Sequence, residues 1–269
     1  MTTLARSAPR FHRRPLAALA KAEYLQFRRN KTLIYMATVF PIGIPVAMFF
    51  IAARDATPTR ATAAMAFELL AVVALLFVQY YSVLSMVTTR RGEGVLKRLR
   101  TGESTDRQIL TAPAIPGAVV TLACAAVVAA VVYGAGVPAP VNPVAILLAL
   151  LGGILLFSLL ALATSTVTKN AEAAQITSLP VMTVAMLGLA SIRGILPDRL
   201  ADIADWTPFA AVSDLISLGV AGTAVGTTEP VLGFAATFPE LGRPFATLAI
   251  WTVLALALIR TSFRWDDRG

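Results

Sequence analysis

Side chains that could carry out chemistry are scarce in this chain of 269 residues, and they are widely spaced. His12 is the only histidine and Cys124 is the only cysteine. Zinc sites of the H-E-x-x-H type, Ser–His dyads and rhomboid-like proteolytic sites need a histidine at the site, whereas His12 lies in a basic N-terminal arm. A single cysteine forms no intrachain disulfide, so we interpret Cys124 as a packing residue. The residue types therefore predict no catalytic or metal centre of these kinds.

A phosphate-binding loop is also missing from the sequence. The pattern G-x-x-x-x-G-K-[ST], whose backbone N–H groups and lysine hold nucleotide phosphates, does not occur. We therefore expect a protein with no cofactor and no enzyme activity of its own. Any chemistry that powers it would lie on another chain.

Glu68 is the only acidic residue that lies well inside a predicted span. A carboxylate at membrane depth is costly, and for that reason it often marks a transport pathway. The alternative is an interfacial side chain that extends to the water outside. Glu68 is therefore a possible pathway residue.

Long apolar runs dominate the chain, in which 57% of residues are hydrophobic and 14% are charged. A helix that crosses a bilayer needs about 20 apolar residues, and its backbone polar groups must pair within the helix. Six stretches qualify, the last with help from flanking arginines: 33–53, 63–87, 116–137, 143–167, 173–192 and 243–260. The sequence predicts an all-α polytopic membrane protein with six transmembrane helices, built as one domain over residues 1–269.

The basic residues are distributed unevenly between the two sides of the membrane. If the six helices alternate in direction, 18 of the 23 Lys and Arg residues share the side of both termini. Basic residues mark the cytoplasmic side, so both termini are predicted to be cytoplasmic in a multi-pass cell-membrane protein. This topology explains the net charge of +8 better than nucleic-acid binding does, and we expect lipid, not nucleic acid, around the chain.

Residues 1–32 form a basic arm that ends in an amphipathic segment. At helical spacing, an apolar arc faces one way and the basic residues face the other. The arc includes Leu16, Leu19, Ala20, Tyr24 and Phe27, and Arg14, Lys21, Arg28 and Arg29 lie opposite. The pattern predicts an interfacial "elbow" helix. The alternative is a solvated approach to the first span.

A basic loop at 88–115 separates spans two and three. Glu93 and Lys97 have the spacing of a helical ion pair. Val95, Leu96 and Leu99 form an apolar stripe, from which Lys97, Arg98 and Arg100 point away. Ser104 is a candidate cap for a second short helix with Asp106 in its first turn. Positive-inside charge alone would not require the stripe, so the loop is predicted to dock a partner.

A long external segment covers residues 193–242. Within it, 206–226 is apolar, but Asp214 at its centre would cost about 2.5–3.5 kcal/mol in a spanning helix. We therefore predict a re-entrant or surface-lying helical hairpin that caps the pathway.

In the fourth span, Ala145, Ala149 and Gly153 recur every four residues and predict close helix packing.

Several motifs occur in an order that resembles the membrane subunit of type-2 ATP-binding-cassette exporters, in particular the daunorubicin-resistance-like branch. That family carries an E-G-x-L-x-x-L/M-R-like helix after span two and a basic elbow before span one. It also has a proline inside span one. The matching residues are Glu93, Gly94, Leu96, Leu99 and Arg100, the segment 15–31, Pro41, "KNAEAAQ" at 169–175 and "LP…WTPF" at 196–209. "RTGES" at 100–104 departs from the family's usual proline-containing link.

The resemblance implies a permease subunit of six spans in a bacterial cell membrane. It would form a homodimer or heterodimer, bind two copies of a cytoplasmic ATP-binding subunit and export a hydrophobic drug-like or lipidic substrate. The elbow helix and a coupling helix would transmit the motion of the ATPase. The implied coupling residues are Glu93, Gly94, Val95, Leu96, Lys97, Leu99 and Arg100.

Two other functions remain open from the residues alone. One is a non-transporting membrane anchor or receptor that recruits a cytoplasmic partner through the same loop. The other is a secondary carrier that uses Glu68 and needs no ATPase.

Overall fold

The computed structural model describes residues 15–29, 31–54, 57–102, 104–225, 231–263 and 265. Within these ranges the chain forms fifteen α-helices and one π-helical segment, and it contains no strand. The helices are α1 (Pro15–Arg29), α2 (Lys31–Ala52), α3 (Arg60–Val73), the π segment (Ala74–Tyr81), α4 (Ser82–Gly92), α5 (Val95–Arg100), α6 (Asp106–Thr111), α7 (Ala114–Gly134), α8 (Pro143–Ser165), α9 (Ala173–Thr177), α10 (Leu179–Leu187), α11 (Ala190–Arg193), α12 (Asp198–Ala204), α13 (Pro208–Val220), α14 (Thr237–Glu240) and α15 (Gly242–Ser262).

Five helical stretches are long and apolar enough to cross a membrane. They are Ile34–Ala52, Arg60–Gly92, Ala114–Gly134, Pro143–Ser165 and Thr237–Ser262. These confirm the prediction of an all-helical protein with several membrane-spanning helices. The predicted interfacial and coupling roles of α1 and α5 stay predictions.

The predicted span over 173–192 is interrupted: α9 and α10 together make one apolar helical stretch, Ala173–Leu187, and the short helix α11 follows it. Pro180 lies in the first turn of α10, where a missing N–H is tolerated, and Gly188 follows its end. Leu189 is extended, with φ −62° and ψ 136°. Five spans are therefore continuous, and the six-span count stays a prediction that depends on this interrupted segment.

Helix α8 lies at the centre of the bundle and packs against α13, α15, α4 and the π segment. Ala145 and Ala149 are fully buried. A Cβ atom on Gly153 would lie 2.6 Å from Cδ1 of Leu75 in the π segment. The small residues of α8 thus allow the close approach that their spacing predicts, and the structure shows which elements approach.

Helix α13 is inserted into the bundle between α8, α3, α15 and α10. Eleven of its 13 residues are buried. A Cβ atom on Gly219 would lie 2.6 Å from Cγ1 of Ile146, so the glycine brings α13 against α8. At 1.5 Å per residue, α13 is about 20 Å long, shorter than the ~30 Å hydrocarbon core. α13 is therefore an internal helix of the bundle; the re-entrant path of 193–242 stays a prediction.

The π segment lies within the continuous second span, at a point that the sequence analysis did not identify. Its Gln79 donates through Nε2 to the Ala114 carbonyl oxygen at 3.1 Å and to Oγ of Ser158 at 2.7 Å. A Cβ atom on Gly117 would lie 2.9 Å from the Val78 carbonyl oxygen. The second span is thus joined to α7 and α8 by a polar contact in its middle.

Contacts at the helix termini define two ends of the bundle. At one end, Nη1 of Arg91 donates to the carbonyl oxygen of Ser165 at 2.7 Å. At the other end, Nε of Arg60 donates to the carbonyl oxygen of Ala139 at 2.9 Å. We call the first the basic end; it also carries α1, α5 and α6. The second is called the opposite end.

Candidate functional site

At the basic end, the second span continues into α5 through one tight turn. Gly94 has φ 66° and ψ 12°, a left-handed conformation that glycine adopts without steric cost. Glu93 caps α4 and Lys97 lies in α5, so the two residues stand on either side of this turn; their ion pair stays a prediction. Nη2 of Arg98 donates to the Glu93 carbonyl oxygen at 3.3 Å.

The apolar stripe of α5 faces the chain itself. Leu96 is 0% exposed and belongs to the same core cluster as Ile109 of α6, while Val95 and Leu99 are half-buried. A stripe that already packs inside the chain offers little free area to a partner. The accessible face of this region is polar, and its exposed residues are Gly92, Glu93, Lys97, Arg98, Arg100 and Thr101.

Helix α6 begins one residue later than the sequence analysis placed it. Thr105, not Ser104, is its N-cap: Oγ1 of Thr105 accepts from the Gln108 N–H at 3.4 Å. Oε1 of Gln108 accepts in return from the Thr105 N–H at 2.9 Å, which forms a capping box. Asp106 lies in the first turn as predicted, and it pairs with Nε of Arg100 at 3.3 Å.

Helix α1 packs against α7, α6 and α2 and is joined to α4 by an ion pair between Glu23 and Arg90. Glu23 is buried, and Arg90 is mostly buried. Of the predicted elbow residues, Leu16, Tyr24, Arg28 and Arg29 are exposed and Leu19 is half-buried. The side chain of Phe27, together with residues 1–14, lies outside the described part of the chain. Sequence reasoning missed the ion pair because its partners are 67 positions apart.

The C-terminal aromatic residues contact the basic end. The guanidinium of Arg91 lies 5.5 Å from the ring centroid of Phe263, and that of Arg100 lies 4.8 Å from Trp265. The two rings are 5.1 Å apart in a T-shaped arrangement. We call Phe263 and Trp265 the aromatic clasp. The neighbouring C-terminal charges fall outside the described residues: Arg264, Asp266, Asp267 and Arg268.

The opposite end contains a charged network that sequence reasoning missed. Arg193 is 6% exposed and donates to Oδ1 of Asp205 at 2.7 Å and to Oδ1 of Asp214 at 2.6 Å. Arg243 donates to Oδ2 of Asp205 at 2.8 Å. Burial raises the pKa of Asp205, but the two arginines outweigh it, so the pKa lies below its ordinary value. The network joins α11, the α12–α13 turn, α13 and α15.

Glu68 borders the charged network. Its Oε1 accepts hydrogen bonds from the Ala190 N–H at 2.7 Å and from the hydroxyl of Ser213. Nη2 of Arg193 donates to the same hydroxyl at 3.3 Å. Glu68 is 9% exposed and lines a cavity of about 350 Å³ between α3, α11 and α13. It is thus a buried residue with defined partners.

Asp214 gave the only sequence signal for this network, since an aspartate in an apolar run requires a partner. Its partner Arg193 lies 21 positions away and on another helix. No periodic pattern relates two such positions. The arrangement therefore becomes visible only in three dimensions.

Several apolar helices of spanning length, packed around buried polar contacts, define a multi-pass helical membrane protein. The family model of the ABC-2 type transporter matches residues 14–210, more than half of the chain. The chain belongs to this family of transporter membrane domains. A search of curated proteins gave no match. The resemblance to the daunorubicin-resistance-like branch stays a prediction.

Family membership agrees with a sequence that contains no phosphate-binding loop motif. An ABC-2 membrane domain is the transmembrane component of its transporter and is not the ATPase. Such domains typically partner with ATP-binding subunits. The chain is therefore a membrane domain of a family whose members typically partner with ATP-binding subunits.

Proposed function

We propose that the chain is the permease subunit of an ABC exporter. It moves a hydrophobic drug-like or lipidic substrate outward and is driven by ATP hydrolysis on a separate subunit. The observation that carries this proposal is the junction of α4 and α5, where a spanning helix continues through Gly94 into a short helix with an exposed basic face.

Contacts around this junction give it a way to transmit force. Arg90 ties α4 to α1, and Arg91 ties α4 to the end of α8. Arg100 contacts Asp106 of α6 and the ring of Trp265. A displacement of α5 would therefore move the basic ends of several helices together. In this proposal, α5 acts as the coupling helix and α1 as the elbow helix.

The proposal includes a topology and an assembly. The basic end and both termini face the cytoplasm of a bacterial cell, in agreement with the positive-inside rule. The interrupted segment 173–193 forms the fifth of six crossings, and α13 is re-entrant from the outer side. Two permease chains, identical or different, assemble with two ATP-binding subunits.

A secondary carrier is the second candidate, favoured by the burial of Glu68 beside a cavity. The non-transporting anchor or receptor has no observation of its own in its favour. Efflux without any ATP-binding partner that is lost in Glu68→Gln would favour the carrier. Binding of the ATPase without any transport would favour the anchor.

The test is co-purification of the chain with the ATP-binding subunit of its own organism. The wild-type chain and Arg199→Glu, which changes an exposed arginine of the opposite end, should retain the ATPase. Arg98→Glu, on the exposed face of α5, should reduce recovery of the ATPase, because we propose that this basic face docks against acidic residues of the ATPase. Equal recovery with both variants, or vanadate-sensitive ATP hydrolysis by the isolated chain, would contradict the proposal.

A further inference from the structure

Glu68 differs from two other strongly buried charges, Arg193 and Glu23, in having no ionic partner among the described residues. Arg193 is held by two aspartates, and Glu23 is paired with Arg90. Among the described residues, no arginine or lysine forms an ion pair with Glu68. Its two recorded contacts come from a backbone N–H and a neutral hydroxyl. A buried charge that has hydrogen bonds but no counter-ion is costly in a membrane protein.

The balance of charge points to the same residue. The charged network and Glu68 together contain two arginines, Arg193 and Arg243, and three carboxylates. The two arginines are both bound to aspartates. Both aspartates contact an arginine, so Glu68 is the carboxylate of this group that has no arginine contact.

The cavity beside Glu68 has the size and lining of a small-ligand site. Its volume of about 350 Å³ lies within the range of small-molecule pockets. Glu68 is the only ionisable side chain in its described lining. Hydroxyl groups and apolar side chains form much of the remainder: Ser191, Ser217, Thr223, Ala64, Met65 and Ile216. Such a lining suits a molecule with one charged group and an apolar body.

We propose that this cavity binds a monovalent organic ammonium ion with an apolar body and that Glu68 is its counter-ion. Oε1 of Glu68 is fixed by Ala190 and Ser213, so the carboxylate is oriented before a ligand arrives. As a transport site, the cavity rests on the proposed function and narrows the substrate class to cationic amphipathic molecules. As a binding site, it can be tested without transport.

The experiment is calorimetric titration of the full chain in lipid nanodiscs at neutral pH. The probe is 2-phenylethylammonium, and 2-phenylethanol serves as a neutral compound of nearly the same shape. A charge-assisted contact in a desolvated site should favour the cation by about tenfold or more. Equal affinity for the two compounds, or no binding of the cation at millimolar concentration, would overturn the proposal.

Two variants and a control locate the binding. Glu68→Gln keeps an oxygen that can accept hydrogen bonds from Ala190 and Ser213, so this variant should fold. Its affinity for 2-phenylethylammonium should fall about tenfold, whereas its affinity for 2-phenylethanol should not change. Ala61→Phe places a ring at an exposed position of the cavity lining and should weaken binding of both compounds. Asp202→Asn removes an exposed carboxylate elsewhere in the 194–207 segment and should change the affinity for neither compound. Unchanged cation binding in Glu68→Gln would exclude the assignment.

Failure of this inference and failure of the proposed function are separable. The titration uses no ATPase and no gradient. If ATP-driven export occurs but the cation preference is missing, only the ammonium site is wrong. If the cation binds through Glu68 but no ATP-binding partner supports export, the site stands and the exporter proposal is wrong.

Discussion

Arg193 holds two acidic residues in place at the opposite end of the bundle. Its two ion pairs, to Asp205 and Asp214, measure 2.7 and 2.6 Å and are largely shielded from water. Removing one partner of a buried ion pair destabilises the fold by more than the intact pair stabilises it, because the remaining charges stay buried without compensation. The position of α13 in the bundle therefore depends on this side chain.

Arg193→Ala is expected to destabilise the protein by about 3–5 kcal/mol. The measurement is thermal unfolding of the purified chain in detergent, followed by circular dichroism. Arg199→Ala is the matched control, since it removes an exposed arginine six positions further along the same segment. If the two variants unfold at the same temperature, the network does not stabilise α13.

The contribution of Asp205 to stability should vary with pH. Its pKa in the folded protein lies below the ordinary value of 3.8, so its contribution is fully present above that value and is lost as pH falls through the folded pKa. The difference in unfolding temperature between wild type and Asp205→Asn should accordingly be largest near neutral pH and shrink in acid below pH 3.8. A difference that is constant down to pH 3 would contradict this account.

At the scale of the helices, sequence reasoning located the apolar spans well because composition alone determines them. The breaks were less visible. Apolarity over 173–192 gave no sign of the extended Leu189. Nothing in Ala74–Tyr81 marked a π-helix, and the contacts of its Gln79 with α7 and α8 join positions far apart in the sequence. Leu96 was correctly recognised as apolar, but its partner within the chain could not be read from the sequence.

The aromatic clasp should hold α5 in place. A cation–π contact contributes roughly 0.5–1 kcal/mol at an exposed site, and more where water is excluded. Trp265→Ala should therefore speed hydrogen exchange of the α5 amides several-fold, measured by mass spectrometry. Trp265→Phe keeps a ring over Arg100, so the exchange rates of its α5 amides should stay close to those of the wild type. Equal exchange in all three proteins would show that the clasp does not hold α5.

At the scale of the whole molecule, family and helical class follow from the sequence, whereas the path of 193–242 does not.

A re-entrant α13 requires residues 202 and 231 to lie on the same side of the membrane. Cys124 is the only cysteine in the sequence, so a Cys124→Ser background provides a chain without thiols. Asp202→Cys and Val231→Cys, both at exposed positions, should react with an impermeant maleimide in intact cells. Lys169→Cys should react only after the cells are opened. Labelling of position 202 but not 231 would make α13 a crossing helix.

ATP-driven transport by two separate proteins is the central claim, and reconstitution tests it most directly. Inside-out vesicles containing the chain, its ATP-binding subunit or both are given a fluorescent hydrophobic cation with ATP or a non-hydrolysable analogue. The account predicts that dye accumulates only with both proteins and hydrolysable ATP. Accumulation by the chain alone, driven by an ion gradient and independent of ATP, would contradict it.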